Sequence, residues 1–141
     1  MELGELLKEL TLVLNALHRR DVCGQGRTLS QCFVLMSLPY DGLDMSALSR
    51  KLGLDNSTTT RLVDTLEKHG WVERKRDRRD RRVMTAKLTQ EGENVAKELD
   101  TSMESLGEAV LEYLSPEKRE NTQEVLQELL WGLSKEKLKE R

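Results

Sequence analysis

Two stretches of this chain gather side chains suited to non-covalent recognition by hydrogen bonding and charge. The first is Asn56-Ser57-Thr58-Thr59-Thr60-Arg61. At the start of a helix, small hydroxyls allow close approach to a groove floor, where they can donate, accept, or set a methyl against thymine. Open amides at a helix start, with the positive end of the helix dipole, favour a phosphate. Arg61 would clamp a phosphate or a guanine. Ser and Thr are also ordinary capping residues, so this stretch draws its meaning from the segment C-terminal to it. The second stretch holds Arg74, Lys75, Arg76, Arg78, Arg79, Arg81 and Arg82, interrupted by Asp77 and Asp80. Most charge runs are solvated faces. At the tip of a hairpin, however, such a run is suited to a minor groove, whose negative potential attracts arginine. The two aspartates speak against a plain polybasic tail, because a carboxylate beside arginines holds a guanidinium in a fixed orientation.

The elements that would position these residues can be read from periodicity and stop signals. Leu3, Leu6, Leu7, Leu10, Leu14 and Leu17 form one apolar stripe on a helix expected to run to about residue 20. Gly24 and Gly26 break it. Thr28 or Ser30 can cap the next helix, which Pro39 stops, and Tyr40-Asp41-Gly42 reads as a turn. Two short helices come next, the first capped by Asp44 and ended by Gly53, the second starting after Asp55 or Asn56 and ending at His69-Gly70. A pair of helices joined by so short a glycine-containing turn is a helix-turn-helix. In the second helix Thr59 shares the apolar stripe, which leaves Ser57, Thr58, Thr60 and Arg61 off it. A change to strand period over residues 71–74 and 82–88 predicts a two-stranded hairpin with the arginine run at its tip. The remainder reads as two helices, one starting at a Thr89 cap and one at Ser115-Pro116-Glu117. Leu126, Leu129, Leu130 and Leu133 stripe the last.

Composition sets limits on the alternatives. The 141 residues are 37% hydrophobic and 34% charged, enough for one domain with a buried core and a heavily charged surface. Only 4% are aromatic, which disfavours a stacking platform for single strands. The net charge of −2 hides an asymmetry. Residues 1–89 hold 16 Lys/Arg against 12 Asp/Glu, and residues 90–141 hold 7 against 13. A polyanion responds to the field within about 8–10 Å, not to the total. No run approaches the roughly 18 apolar residues of a membrane span. The acidic start lacks a secretory pattern, so the expected location is the cytoplasm. Two cysteines are too few for a disulfide framework or a zinc site. Neither the two histidines nor any nucleophile, phosphate-loop or paired-carboxylate pattern specifies a metal site or an enzyme, and no cofactor is expected.

In this order of elements, the stretch from Leu29 to Gly92 closely resembles the MarR family (multiple-antibiotic-resistance regulators) of winged-helix repressors. The residues that carry the resemblance are Leu29-Ser30-Gln31, Ser57-Thr58-Thr59-Thr60-Arg61-Leu62 and Leu66-Glu67-Lys68-His69-Gly70-Trp71-Val72. Asp80-Arg81-Arg82 and Leu88-Thr89-Gln90-Glu91-Gly92 complete it. The resemblance implies that Arg82 is the minor-groove arginine and Asp80 its orienting partner. It implies a dimer joined by the first and last two helices, and a response to small phenolic or other anionic ligands or to oxidants.

The expected protein is therefore mainly α with a small β-hairpin. A winged helix-turn-helix at 28–89 is flanked by N- and C-terminal dimerisation helices at 1–20 and 90–141, in one domain. The expected partners are a pseudo-palindromic double-stranded DNA operator, a second copy of the chain and a small-molecule effector. DNA contact is assigned to Ser57, Thr58, Thr60, Arg61, Arg78, Arg79, Asp80 and Arg82. Leu3, Leu6, Leu7, Leu10, Leu126, Leu129, Leu130 and Leu133 are assigned to the dimer. Two alternatives stand beside this. One is a winged-helix module that binds protein and ignores DNA. The other is a thiol sensor within the same family, built on Cys23 in a glycine-containing loop near Arg19, Arg20 and Arg27, which would favour thiolate. Cys32 reads as inert core packing.

Overall fold

The structure is a computed structural model and describes residues 1–140. In chain order the elements are α1 (Leu3–Leu17), a π-helical turn (His18–Val22), α2 (Leu29–Ser37), β1 (Leu43–Asp44), α3 (Met45–Leu52) and α4 (Asn56–Lys68). The chain continues through β2 (Val72–Arg76), β3 (Met84–Leu88), α5 (Gln90–Glu112) and α6 (Pro116–Lys137). It divides into two compact units, residues 1–103 and 104–141.

In the first unit, α1 ends as an α-helix at Leu17 rather than near residue 20, and one π turn carries the chain to Val22. The wider turn buries His18 and Val22. His18 Nδ1 lies 2.7 Å from the Leu14 carbonyl, and its ring meets Phe33 edge-on at 5.6 Å. Of the two candidate caps for α2 the structure uses Thr28. Its hydroxyl accepts from the Gln31 amide (3.1 Å) while the Gln31 side chain accepts from the Thr28 amide (3.0 Å), a reciprocal capping box.

The core of this unit gathers Cys32, Val34 and Leu35 of α2, Leu48 of α3, Val63 and Leu66 of α4, Val72 of β2, Ala86 of β3 and Leu99 of α5, all essentially removed from solvent. Burying each large aliphatic side chain contributes about 1.5–3 kcal/mol relative to leaving it in water. These contacts hold α2, α3 and α4 against the sheet.

That sheet has three strands in the order β1-β3-β2, all antiparallel, where a two-stranded hairpin was expected. The extra strand is two residues long, with Leu43 opposite Ala86 and Asp44 opposite Thr85. Gly42 permits the approach. Its φ is +83°, and a Cβ there would run into the Ala86 carbonyl oxygen, a position only glycine fills without strain.

A tight joint closes the hairpin onto α5. The Thr89 amide donates to the Trp71 carbonyl (3.0 Å), and the Gly92 amide donates to the Thr89 hydroxyl (3.0 Å), so Thr89 caps α5 as its position suggests. Gly92 packs so closely on the Trp71 backbone that any Cβ would overlap it.

The second unit, residues 104–141, contains the end of α5, the break at Ser115-Pro116, and α6. Ser115 occupies the cap position of α6 with Pro116 in its first turn, but its side chain makes no capping bond. The Arg119 guanidinium instead reaches back to the Leu114 carbonyl (3.2 Å), which satisfies one of the acceptors left open where α5 ends.

Candidate nucleic-acid interface

Helix α4 is the second helix of the helix-turn-helix. Gly53, with φ +69°, ends α3, and Asp55 starts α4 two residues later. The two helices are pinned by a buried hydroxyl pair. Ser49 donates to Thr59 (2.8 Å), and Thr59 donates in turn to the Asp55 carbonyl (3.0 Å). Thr59 is wholly buried, as its place on the apolar stripe predicts.

Ser57, Thr60 and Arg61 stand exposed and Thr58 is half-buried. Their chemistry is narrower than residue type alone suggests. The Asp55 carboxylate already accepts from the Thr58 amide (2.7 Å) and the Ser57 hydroxyl (2.9 Å). Those bonds hold Asp55 below the usual carboxylate range. The Thr60 hydroxyl donates to the Asn56 carbonyl (2.8 Å). The start of α4 is therefore occupied by its own carboxylate, which disfavours a phosphate there. Ser57 and Thr60 retain lone pairs, and Thr60 a methyl, for a base edge. Arg61 lies 3.4 Å from the Thr58 hydroxyl through Nη2 and remains exposed.

The seven-residue tip between β2 and β3 is an ordered turn. Asp77 and Val83 close it through Asp77 N–H to Val83 C=O (2.9 Å). Arg78 and Arg79 stand in solvent. The Arg82 side chain is 91% exposed yet held. Its Nε and Nη2 donate to the two carboxylate oxygens of Asp80 (3.1 and 3.3 Å), and its own amide donates to the same group (3.1 Å). The side-chain bond to Arg82 lowers the Asp80 pKa. An exposed guanidinium held by a bidentate partner is pre-oriented for a narrow groove.

The basic run does not act as a unit. Arg74 belongs to the scaffold. Its guanidinium donates to Asp64 and Glu67 of α4 and is mostly covered, so it locks strand β2 onto the helix. Arg76 donates to the Arg81 carbonyl (2.8 Å) and braces the tip. Of the two starts that the sequence offers for α4, Asp55 is the cap, whereas the scaffold role of Arg74 was missed because it sits in the basic run. Asp64 and Glu67, three residues apart on one helix face, were the signal for Arg74.

The residues assigned to the dimer are apolar, and six of the eight are exposed. On α1, Leu3, Leu6 and Leu10 are exposed and Leu7 is half-buried. On α6, Leu126, Leu130 and Leu133 are exposed, with Leu129 half-buried, and Val125 and Trp131 extend this surface.

Cys23 departs from expectation, whereas Cys32 is the buried core residue that its position predicts. Cys23 lies at the end of the π turn and is buried to 1% exposure, not displayed in the glycine loop. Arg27 reaches its carbonyl (2.8 Å) rather than its thiol. The Cys32 thiol is pushed up to about 12, first by burial and then by the neighbouring Cys23 thiol, which makes it a poor nucleophile. His69 ends α4 and stacks on Trp71 at 4.5 Å. Among the described residues no group of three or more His, Cys, Asp or Glu could hold a metal ion. No described helix is long and apolar enough to cross a membrane.

A helix-turn-helix followed directly by an antiparallel hairpin with an arginine tip is a winged helix-turn-helix. Comparison with known proteins narrows the class. The sequence profile of the MarR family matches residues 28–84. The Escherichia coli transcriptional repressor MprA is 29% identical over 108 residues, covering 76% of this chain and 61% of MprA. The chain spans about three fifths of the length of the first curated relatives it matches. The PcaV transcriptional regulator of Streptomyces coelicolor, solved in complex with its natural ligand, is 25% identical with a TM-score of 0.72, covering 92% of each chain. Streptococcus pneumoniae FabT, solved in complex with DNA, is 20% identical with a TM-score of 0.76, covering 95% of this chain and 99% of FabT. Over residues 28–84, the helix-turn-helix and most of its hairpin, this chain is similar to the MarR family.

Proposed function

We propose that this protein is a homodimeric, sequence-specific double-stranded DNA-binding regulator, acting as a repressor that a small ligand or an oxidant releases. The observation that carries this is the pairing of α4 with the wing. A small polar helix edge ends in exposed Arg61, and an exposed Arg82 stands ready on the hairpin that Arg74 locks to the same helix. Residues 28–89 read DNA in this account, and helices within 1–20 and 90–141 join two copies. The helix start enters the major groove through Ser57, Thr58, Thr60 and Arg61. The tip, with Arg78, Arg79 and the Asp80-held Arg82, lies in the adjacent minor groove. Phosphate contacts supply most of the affinity and base contacts the selection.

Two copies related by a two-fold axis would present two such helices to a pseudo-palindromic operator, about 34–36 Å apart. An effector shifts the dimer toward a spacing that does not fit, by no more than its preference for that state. MprA is named a repressor, PcaV was solved with a natural ligand and FabT with DNA; those properties support the reading. The place of action is the cytoplasm, and the protein is a regulator rather than an enzyme.

A gel shift with genomic fragments at two salt concentrations tests this. Retarded fragments whose affinity falls steeply with salt are expected. No retardation at either concentration would instead favour a winged-helix module that binds protein.

A further inference from the structure

Seven residues, Asp77 to Val83, turn the hairpin without a glycine or a proline, and no non-glycine residue among them has a positive φ. Four of the seven are arginines, whose mutual repulsion would open a bare loop. What closes the tip is a repeated Asx turn. Asp77 Oδ1 accepts from the amide two residues on, Arg79 (2.7 Å), and from that of Asp80 (3.0 Å). Asp80 Oδ1 then accepts from the amide two residues on, Arg82 (3.1 Å). The Val83 amide donates to the Asp80 carbonyl (3.0 Å) and finishes the turn. Asp77 is half-buried, whereas the arginines at 78, 79, 81 and 82 are exposed.

These bonds act in order. Arg82 is aimed by the Asp80 carboxylate, and the backbone that carries Asp80 is fixed by Asp77. We propose that Asp77 is a positioning residue for DNA binding, setting the wing tip so that Asp80 can present Arg82. This rests on the proposed DNA-binding function and assigns Asp77 a part in it without direct contact to DNA. A carboxylate near phosphates repels them, so a direct electrostatic role would make the aspartate unfavourable. A role through geometry makes it favourable despite its charge, and the two have opposite signs on mutation.

The test uses the full-length protein and a duplex enriched from a pool of randomised 40-base-pair DNA on the wild type. Asp77→Ala should weaken binding by about fivefold to twentyfold, the range expected when a side-chain cap of a local turn is lost. Asp77→Asn keeps the oxygen acceptor and loses the charge, and should bind within about threefold of wild type. In an Arg82→Ala background, Asp77→Ala should cost less than about twofold, because the group it positions is gone. Amide hydrogen exchange at Arg79 and Asp80 should speed up in Asp77→Ala without DNA present, while the thermal midpoint stays unchanged.

Three results would overturn the proposal: Asp77→Ala binding as well as wild type, Asp77→Asn as weak as Asp77→Ala, or the full loss persisting without Arg82. Failure of the wild type to enrich any duplex would remove the DNA-binding function and this role with it. Enrichment by wild type, lost in Arg82→Ala but kept in Asp77→Ala, would remove only the role of Asp77.

Discussion

Arg74 and Arg82 are the same residue type eight positions apart, and their surroundings give them opposite work. Arg74 is mostly covered between two carboxylates, whereas Arg82 is 91% exposed with one. Arg82→Ala is therefore expected to lower operator affinity at least about tenfold, a typical loss for an inserted groove arginine, with no change in thermal midpoint. Arg61→Ala should reduce the slope of log affinity against log salt by about one, and an unchanged slope would mean that Arg61 touches no phosphate.

Asp55 carries a pH prediction. Its folded-state pKa lies below its ordinary value because the Thr58 amide and the Ser57 hydroxyl bond the charged form. Its stabilising effect is complete above the unfolded value near 3.9 and is lost as pH falls through the lower folded value. The difference in urea midpoint between wild type and Asp55→Asn should shrink as pH is lowered from about 5 to about 3; parallel curves would contradict the cap.

At the scale of elements, the clamp from Arg74 to Asp64 and Glu67 makes α4 and the wing one body. Removing it by Arg74→Met should cost about 1–3 kcal/mol in chemical denaturation, since Arg74 is mostly covered while its partners keep some access to water. The proposed DNA binding should fall with it, because α4 and the wing are no longer held together. Gly92→Ala should destabilise by about 1–3 kcal/mol, because the Trp71 backbone must move to admit the methyl.

The helix-turn-helix was legible because capping residues and the apolar stripe agree at every step, from Asp44 through Gly53 and Asp55 to Gly70. Strand β1 was not, since two residues carry no period and their partner lies more than forty positions away at Ala86. The π turn was hidden for a similar reason, because it preserves the local composition of a helix while shifting which side chains it buries. The basic run showed where charge accumulates. Which arginine faces a carboxylate depends on Asp64 and Glu67, on a different element.

At the scale of the molecule, the proposed dimer would cover the exposed leucines of α1 and those of α6. Each exposed leucine of these stripes that a partner buries adds about 1.5–3 kcal/mol to association at most. Leu6→Glu or Leu130→Glu should move the protein toward monomer in light scattering at micromolar concentration. A dimer mass retained in both variants would place the joint elsewhere. Loss of the dimer should also lose operator binding, since each half then gains only its own contacts.

The most direct measurement is to sequence the duplexes that the purified protein retains from a randomised pool at physiological salt. Two reading helices on a two-fold scaffold should enrich an inverted repeat whose half-sites lie about 10 base pairs apart, centre to centre. A retained population indistinguishable from the input, or a motif with no two-fold relation, would contradict the account.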